Sequence, residues 1–404
     1  MEKLRLAVFF GSRACEHDVS IVTALQCMDA VDTTQYEVIP VYIGRDGAWY
    51  TGEPLRRLQF LRDFKPDAPG VARVYPDVTP GSGALLTIAR KKGLLGGGDT
   101  LAVAARVDVA LLALHGLNGE DGTLQGLLEM MNVPYTSSGV VGSAVGMDKI
   151  AMRMLFQGCG FRVLEYVWLT RDEWERDPQA VRAKAEDTLP YPLFVKPANL
   201  GSSIGISRVE TGEALEEAIQ VALSYDRRVI VERGVKDPVE VNCSVLGFGE
   251  DIAASVCEMP VRWEEFLTFD EKYLRGEKSG GAKQAGGMAS LARRIPAPIG
   301  AEKTKRVQEL SREIFRSLDC KGVVRIDYLL EGEDIYVGEI NTIPGSLAFY
   351  LWEPLGLSYP KLIDKLVELA FTAHAEKNRA VFAYDSSILT SVSLGAKGTK
   401  GAKR

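Results

Sequence analysis

The sequence predicts an α/β and α+β protein headed by a doubly wound sheet, and three observations carry that expectation. Over the first 145 residues, apolar runs of strand length alternate with helix-like stretches, the pattern of parallel strands joined by crossover helices. From about residue 146 to 235 the pieces shorten and mix, and from about 236 to 384 four strands share the chain with two long helices. A length of 404 residues holds three such units, each able to bury its own core. The expected division is therefore 1–145, 146–235 and 236–384, with the low-complexity stretch 385–404 as a disordered tail.

Taken in order, LRLAVFFGS is a continuous apolar run that ends in Gly and Ser and passes into the helical SIVTALQCMDAV. YEVIPVYIG and VDVALLALHG are the second and third buried runs, and helix-like TLQGLLEMM follows. The second unit opens at DKIAMRMLFQGCG. It continues with LFVKPANLGSSIGISRV as strand, loop and strand, ETGEALEEAIQVALSY as a helix and RRVIVERGV as a strand. The third contains strands in VEVNCSVLGF, IAASVCEMPV, VVRIDYLL and DIYVGEIN, and helices in EKTKRVQELSREIFRSL and PKLIDKLVELAFTAHAEK. Between them KYLRGEKSGGAKQAGGMASLARRIPAPI is rich in Gly and Lys and has no periodicity, so a lid is expected near residues 274–294.

A net charge of −6 argues against a nucleic-acid or anionic-membrane surface, which demands a basic footprint. Small molecules are the expected partners. The six cysteines are scattered without CxxC spacing, and MEKLRLAVFF has no long apolar core behind its basic residues. These features predict reduced thiols, no zinc site, no signal peptide and no membrane span, hence a cytoplasmic protein.

Three clusters carry chemistry. RIDYLLEGEDIYVGEIN reads as an antiparallel hairpin turning at EGED. Strand alternation puts Glu339 and Asn341 on one side, and a turn centred near Glu333 sets Asp327 opposite Glu339. Three hard oxygen donors then converge, which suits Mg²⁺; for the hairpin alone, a solvated face with ordinary acids is the alternative. KPANLGSSIGI offers a Gly-Ser loop able to close over phosphates, with Lys196 supplying charge, and it is not a Walker A loop. GSRACEHDVS places Glu16 and His17 where the first strand meets the first helix, and HGLNGEDG places His115 and Glu120 at the same rim. Ligands of doubly wound sheets bind beyond such carboxyl ends. For either histidine alone, a purely structural hydrogen bond is the alternative.

GSRACEHDVS, HGLNGEDGTLQG, MDK, LFVKPANLGSSIGI, DEKY, RID and EINTIPG stand in the order and approximate spacing of the D-alanine–D-alanine ligases, so over roughly residues 4 to 380 the chain resembles that family of the ATP-grasp superfamily. The resemblance implies an ATP-grasp, three-domain architecture: a Rossmann-like substrate-side domain (1–145), a central subdomain (146–235) and a C-terminal subdomain (236–384). Matched motif by motif, it makes Lys149 and Lys196 contacts of the ATP phosphates and adds Ser203 and Lys272 to the ATP-binding set. Glu232 and Glu240 match positions that hold the adenine and ribose. Asp327, Glu339 and Asn341 match the ligands of a pair of Mg²⁺ ions, for which Mn²⁺ can substitute. Glu16 matches the carboxylate that grips the first substrate's ammonium, linked to Ser202 and Tyr273 by hydrogen bonds, and His115 matches a substrate-side histidine. Arg325 and the backbone N–H of Gly345 match the groups facing the reacting carboxylate.

The implied activity is ATP-dependent joining of two D-alanines through an acyl phosphate, for peptidoglycan precursors, by a cytoplasmic homodimer. The chain departs from the family at Ser12 and Ala14, where a second glycine and a serine are usual, and more consequentially at Tyr350. There the family commonly has a serine that holds the second substrate's carboxylate. A ligase using D-serine or D-lactate as acceptor is therefore the alternative enzyme, although Lys272 and Tyr273 fit the dipeptide-forming pattern. Outside that class stands a non-catalytic binder of ATP or a D-amino acid, against which the full set of lysines, metal ligands and Arg325 counts.

Overall fold

The computed structural model describes residues 2–90, 98–260, 293–384 and 386. The first sheet holds β1 (Leu4–Gly11), β2 (Tyr36–Ile43), β3 (Trp49–Thr51), β4 (Ala72–Pro76), β5 (Ala84–Arg90), β6 (Asp99–Arg106) and β7 (Val109–Leu112), in the order β6-β5-β4-β3-β2-β1-β7. The three apolar runs of the sequence are β1, β2 and β7, parallel neighbours at the buried end. Helix α1 (His17–Ala30) follows β1, as expected of a parallel unit. The expected parallel core is β2-β1-β7, and the sheet is extended beyond β2 by strands of the other sense. From β3 to β6 the strands form an antiparallel meander, whose short or exposed strands carry little of the apolar periodicity that reveals the others.

Helix α2 (Leu58–Arg62) lies between β3 and β4 in the chain, and α3 (Thr123–Met131), α4 (Val140–Met147) and α5 (Lys149–Gly158) lead to the second sheet. That sheet orders β8 (Tyr166–Thr170), β9 (Leu193–Pro197), β10 (Ser207–Val209) and β11 (Arg228–Arg233) as β10-β9-β11-β8, all antiparallel. Its core gathers Val195, Val229 and Val231 with Leu215, Ile219 and Ala222 of α8 (Gly212–Tyr225); α6 (Arg171–Arg176) and α7 (Pro178–Thr188) lie between β8 and β9 in the chain.

The third sheet comprises β12 (Val239–Phe248), β13 (Asp251–Pro260), β14 (Arg293–Arg294), β15 (Gly322–Glu331) and β16 (Asp334–Asn341), in the order β14-β13-β12-β15-β16. One face packs Val241, Cys243, Val245, Cys257, Val324 and Ile326 against Val307, Ile314 and Phe315 of α9 (Ala301–Ser317). Side chains on a strand alternate, so Glu240, Asn242, Ser244, Glu258, Arg325 and Asp327 fall on the other face. This face builds the site.

The lid expected near 274–294 lies outside the described residues except for Arg293 and Arg294, which form β14 against Met259 and Pro260. The expected tail, 385–404, also lies outside them apart from Ser386. The last helix, α10 (Tyr359–Lys377), shares one core with the first sheet, through Leu362, Ile363, Leu366 and Ala370. All six cysteines are free. Among the described residues no helix is long and apolar enough to cross a membrane.

Candidate active site

Two rows of polar side chains cross the third sheet. The register sets Glu258 opposite Asn242, Asn242 opposite Asp327, and Asp327 opposite Glu339. Beside this row, Ser244 pairs with Arg325 and Arg325 with Asn341. Arg325 and Asp327 stand two apart on one strand, hence on one face, and the guanidinium grips the carboxylate twice, Nε to Oδ1 and Nη2 to Oδ2, both at 2.7 Å. Asn341 donates to Asp327 Oδ2 at 3.1 Å. Burial pushes the Asp327 carboxyl up and nearby Glu339 and Glu240 add to this, against the pull of Arg325. Carboxylates crowded in this way are what a divalent cation relieves.

Among the described residues no three His, Cys, Asp or Glu side chains gather as a self-contained metal site. Asp327, Glu339 and Asn341 offer two carboxylates and an amide on adjacent strands, a donor set that fits Mg²⁺ sharing its octahedron with phosphate oxygens and water.

A second group lies around the N-terminus of α5. Asp148 caps this helix, accepting from the N–H groups of Ile150 and Ala151 at 3.1 and 3.0 Å, which holds Lys149 in its first turn. The Lys149 ammonium is buried and donates to the Leu200 carbonyl at 2.7 Å. Lys196 on β9 donates to Glu232 Oε2 at 2.5 Å, and Arg153 Nε donates to Oε1 at 2.6 Å. Burial alone would raise the Glu232 carboxyl, but the two cations outweigh it and bring it down to about 2. Glu232, expected at the adenine and ribose, thus has both oxygens engaged by Arg153 and Lys196 in this structure. Removing the charge from one member of such a buried set leaves the others uncompensated, at about 3–5 kcal/mol. Glu232→Gln is therefore expected to lower the melting temperature of the ligand-free protein by several degrees; an unchanged melt would refute the pairing.

The third group surrounds Glu16, which is 2% exposed and whose two carboxylate oxygens have no hydrogen-bond partner among the described residues. A Cβ at Gly116, where φ is +70°, would lie 2.1 Å from Oε2, and one at Gly201 would lie 2.7 Å from Oε1. Both glycines make room for this carboxylate. Burial raises it, and Lys149 with the turn at Gly201 and Ser202 pulls it partly back. Ser202 and Ser203 form that turn with left-handed backbone, φ +55° and +60°. His17, expected beside Glu16 at the rim, instead turns inward, with Nδ1 at 2.7 Å from the Ser12 carbonyl and Nε2 at 3.0 Å from the Tyr42 hydroxyl. Its role is structural.

His115 and Glu120 meet as the loop predicts, with Nδ1 at 4.0 Å from Oε2. Glu120 accepts from the N–H groups of Gly116 at 2.9 Å and Ile343 at 3.2 Å, stapling this loop to the chain beyond β16. Thr23 Oγ1 accepts from Ser346 N–H at 3.4 Å and lies 2.8 Å from His115 Nε2. Which of the two donates depends on the tautomer of His115, because the hydroxyl can both give a proton and accept a second one.

Burial lifts Glu120 from 4.5 to about 8 and lowers His115 from 6.5 to about 4. Between 4.5 and 8 the folded state keeps a Glu120 proton that the unfolded chain has lost, so this group's contribution falls as pH rises. His115 has the opposite sign, because between 4 and 6.5 it is the unfolded chain that holds the proton. The two oppose each other up to 6.5, and Glu120 prevails from there to 8. The ligand-free protein should melt at lower temperature at pH 8.5 than at 6.5, and Glu120→Gln should flatten that slope. A slope unchanged by the substitution would remove Glu120 as its source.

After Gly345 the residues Ser346, Leu347 and Ala348 are all left-handed, with φ between 51° and 53°. This turn costs about 1 kcal/mol or more per residue and carries the chain to the buried Tyr350. Of the remaining expected positions, Glu240 lies opposite Leu329 on β15, close enough to act on Asp327. Lys272 and Tyr273 lie outside the described residues.

A profile described as D-ala D-ala ligase N-terminus matches residues 5–138, and one described as D-ala D-ala ligase C-terminus matches residues 155–368. The chain belongs to the D-alanine–D-alanine ligase family. The ligase of Heliobacterium modesticaldum is 39% identical over 388 residues, covering 94% of this chain and 98% of that protein; the ligase of Chloroherpeton thalassium is 37% identical over 386 residues, covering 93% and 99%. Among solved structures, the VanG D-Ala:D-Ser ligase from Enterococcus faecalis aligns with a TM-score of 0.76 and 29% identity over 91% of this chain and 100% of that one. The D-alanine–D-alanine ligase from Coxiella burnetii aligns with a TM-score of 0.72 and 26% identity, covering 94% and 97%. The ATP-grasp fold and the ATP-dependent ligase family follow from these likenesses.

Within this ligase, sequence reasoning passes over Arg153, Asn242, Glu258 and Arg293. A signal existed for Glu258, the one acid in the apolar run IAASVCEMPV. Nothing in the sequence alone points to Arg153 as the partner of Glu232.

Proposed function

We infer that the protein joins two D-alanine molecules to D-alanyl-D-alanine, with conversion of ATP to ADP and phosphate. The observation that carries this reading is Glu16, a buried carboxylate whose oxygens lack partners among the described residues. The ammonium of a D-amino acid would satisfy it.

In this reading the donor's own carboxylate faces Arg325. A carboxylate is a poor electrophile, so its oxygen first takes the γ-phosphoryl group and ADP leaves. Lys149, Lys196 and Arg325 offset the negative charge gathered in that transfer. Mg²⁺ held by Asp327, Glu339 and Asn341 would supply Lewis-acid stabilisation of the phosphates. The amine of the second D-alanine then attacks the acyl carbon. Arg325 and the Gly345 N–H stabilise the oxyanion, the bond to phosphate breaks, and the amine's proton leaves with the phosphate. Glu240, Ser203 and Lys272 complete the nucleotide contacts, while Ser202, Tyr273 and His115 serve the donor. A homodimer formed through the first domain, a cytoplasmic location and the division at about residues 145 and 235 belong to the same reading.

A second reading is favoured by Tyr350, which stands where the family commonly has the acceptor-binding serine: D-serine or D-lactate as acceptor. Phosphate release and product masses decide between them, with ATP, Mg²⁺ and D-alanine alone or paired with D-serine or D-lactate. Dipeptide from D-alanine alone supports the first reading. Product appearing chiefly with another partner replaces it with the second, and no D-amino-acid-dependent phosphate release overturns both.

A further inference from the structure

One oxygen on the polar face of the third sheet is left over. Asn242 is 3% exposed, and its Nδ2 donates to Glu258 Oε1 at 3.1 Å. That bond orients the amide, because the reversed group would set its oxygen against a carboxylate oxygen. Oδ1 then lies buried with no hydrogen-bond partner among the described residues. Its neighbours are satisfied. Glu258 also accepts from the Tyr350 hydroxyl at 3.1 Å and from Arg293 Nη1 at 2.8 Å. Asp327 holds the Arg325 guanidinium with both oxygens. Ser244 donates to the Val324 carbonyl at 2.8 Å and accepts from Trp352 Nε1 at 3.0 Å. A bare buried carbonyl oxygen is destabilising, so this one is suited to a donor that arrives from outside the fold.

Position and charge narrow the choice of donor. The register sets Asn242 between Glu258 and Asp327. Arg325, which the proposed function turns to the reacting carbonyl, stands two residues from Asp327 on the neighbouring strand. The metal donors Glu339 and Asn341 lie on the far side of Asp327, on β16. A cation would be better served by a third carboxylate at this point, and an attacking amine would not. A carboxylate holds an amine as an ammonium, whose nitrogen has no lone pair to give, whereas an amide oxygen takes one N–H and leaves the lone pair free.

We propose that Asn242 Oδ1 accepts an N–H of the acceptor's amine and thereby selects an amine over a hydroxyl as the nucleophile. The assignment rests on the ligase reading and names the class of its acceptor: an amino acid such as D-alanine or D-serine, in preference to D-lactate. As the nitrogen lone pair forms the bond to the acyl carbon, the bond from that carbon to the phosphate oxygen breaks and one proton leaves with the phosphate. The amide so formed keeps one N–H, which stays on Oδ1 throughout. A hydroxyl acceptor gives up its only proton in the same step, and the ester leaves Oδ1 bare again.

The test separates donor activation from acceptor choice. With D-alanine and ATP, hydroxylamine traps the activated donor as a hydroxamate. In Asn242→Leu, close in size and without polar atoms, kcat/KM for D-alanine as acceptor should fall about 30-fold, while hydroxamate formation changes less than about threefold. The preference for D-alanine over D-lactate, read from product masses with both present, should fall at least about tenfold. A merely loosened Glu258 or Tyr350 would slow both acceptors alike and leave that preference where it was. Where the parent joins D-lactate too slowly to measure, the two products are compared as inhibitors in the presence of ADP. The parent should hold D-alanyl-D-alanine more tightly than D-alanyl-D-lactate, and Asn242→Leu should bring the two within about threefold.

An undiminished preference in the variant, products held equally by the parent, or hydroxamate falling as far as dipeptide would make Asn242 a structural partner of Glu258 and overturn the assignment. If the Leu variant does not fold, Asn242→Ser, whose shorter side chain withdraws the oxygen, is put to the same comparison and decides in the same way. A parent protein that forms no hydroxamate from D-alanine and ATP would instead overturn the ligase reading, and the assignment with it.

Discussion

Glu339→Gln is expected to lower turnover at least about 1,000-fold at saturating ATP and D-alanine. Glu339 stands directly across the sheet from Asp327, and with Asn341 it makes up the oxygen set that fits a divalent cation. The amide is nearly the same size, so the fold should be kept and the effect should come from charge. The measurement is phosphate release across a Mg²⁺ titration, together with the melting temperature. The variant should need far more Mg²⁺, and excess metal should restore little of the rate. A rate within tenfold of the parent would remove Glu339 from the metal site and leave Asp327 paired with Arg325 as a structural feature.

Glu16→Gln should move stability and activity in opposite directions. The parent buries a carboxylate that has no hydrogen-bond partner among the described residues, and burial raises its pKa. A carboxyl whose folded pKa is raised contributes least above that pKa, where it must be charged inside the protein. Gln removes the charge and should stabilise the ligand-free protein at pH 8 by about 2 kcal/mol. It also removes the anion that the donor's ammonium needs, so kcat/KM for D-alanine as donor should fall at least about 100-fold. Below the raised pKa the parent should lose activity while the difference in stability narrows. A less stable variant would mean that Glu16 has a partner in the fold, and an active one would mean that the donor binds elsewhere.

The parts of this molecule legible in sequence are those with one dominant period. β1, β2 and β7 are continuous apolar runs because they are buried. The Asp327–Glu339 pair was legible from a turn centred near Glu333, but the strands reach it another way: the turn pairs Glu331 with Asp334, and a bulge between Asp327 and Tyr328 shifts the register by one to bring Asp327 opposite Glu339. The meander from β3 to β6 was not readable: β6 is exposed at most of its positions and so has no apolar stripe. Among site residues, the loops after β1 and β7 could be placed on one rim by topology. The partners could not. Alternation puts Arg325 beside Asp327, yet which of them engages the other and which a ligand is decided by packing. His17 and Glu232 show the same limit, each chosen for its chemistry and each engaged by a neighbour from a different strand, Tyr42 and Lys196.

The core shared by the first sheet and the last helix bears on how the protein comes into being. Cys27 Sγ lies 3.0 Å from the Tyr359 hydroxyl, 332 positions later in the chain, and Lys377 reaches back to Glu129 at 2.5 Å. During synthesis, which runs at about 5–20 residues per second, the first sheet emerges early but must wait for α10 before that side is covered. The segment that covers it, from Ile343 onward, is also the one that carries Tyr350 to Glu258 on the third sheet. Docking of α10 thus closes the core of the first sheet late in synthesis, and a polypeptide halted before Tyr359 would leave that core uncovered.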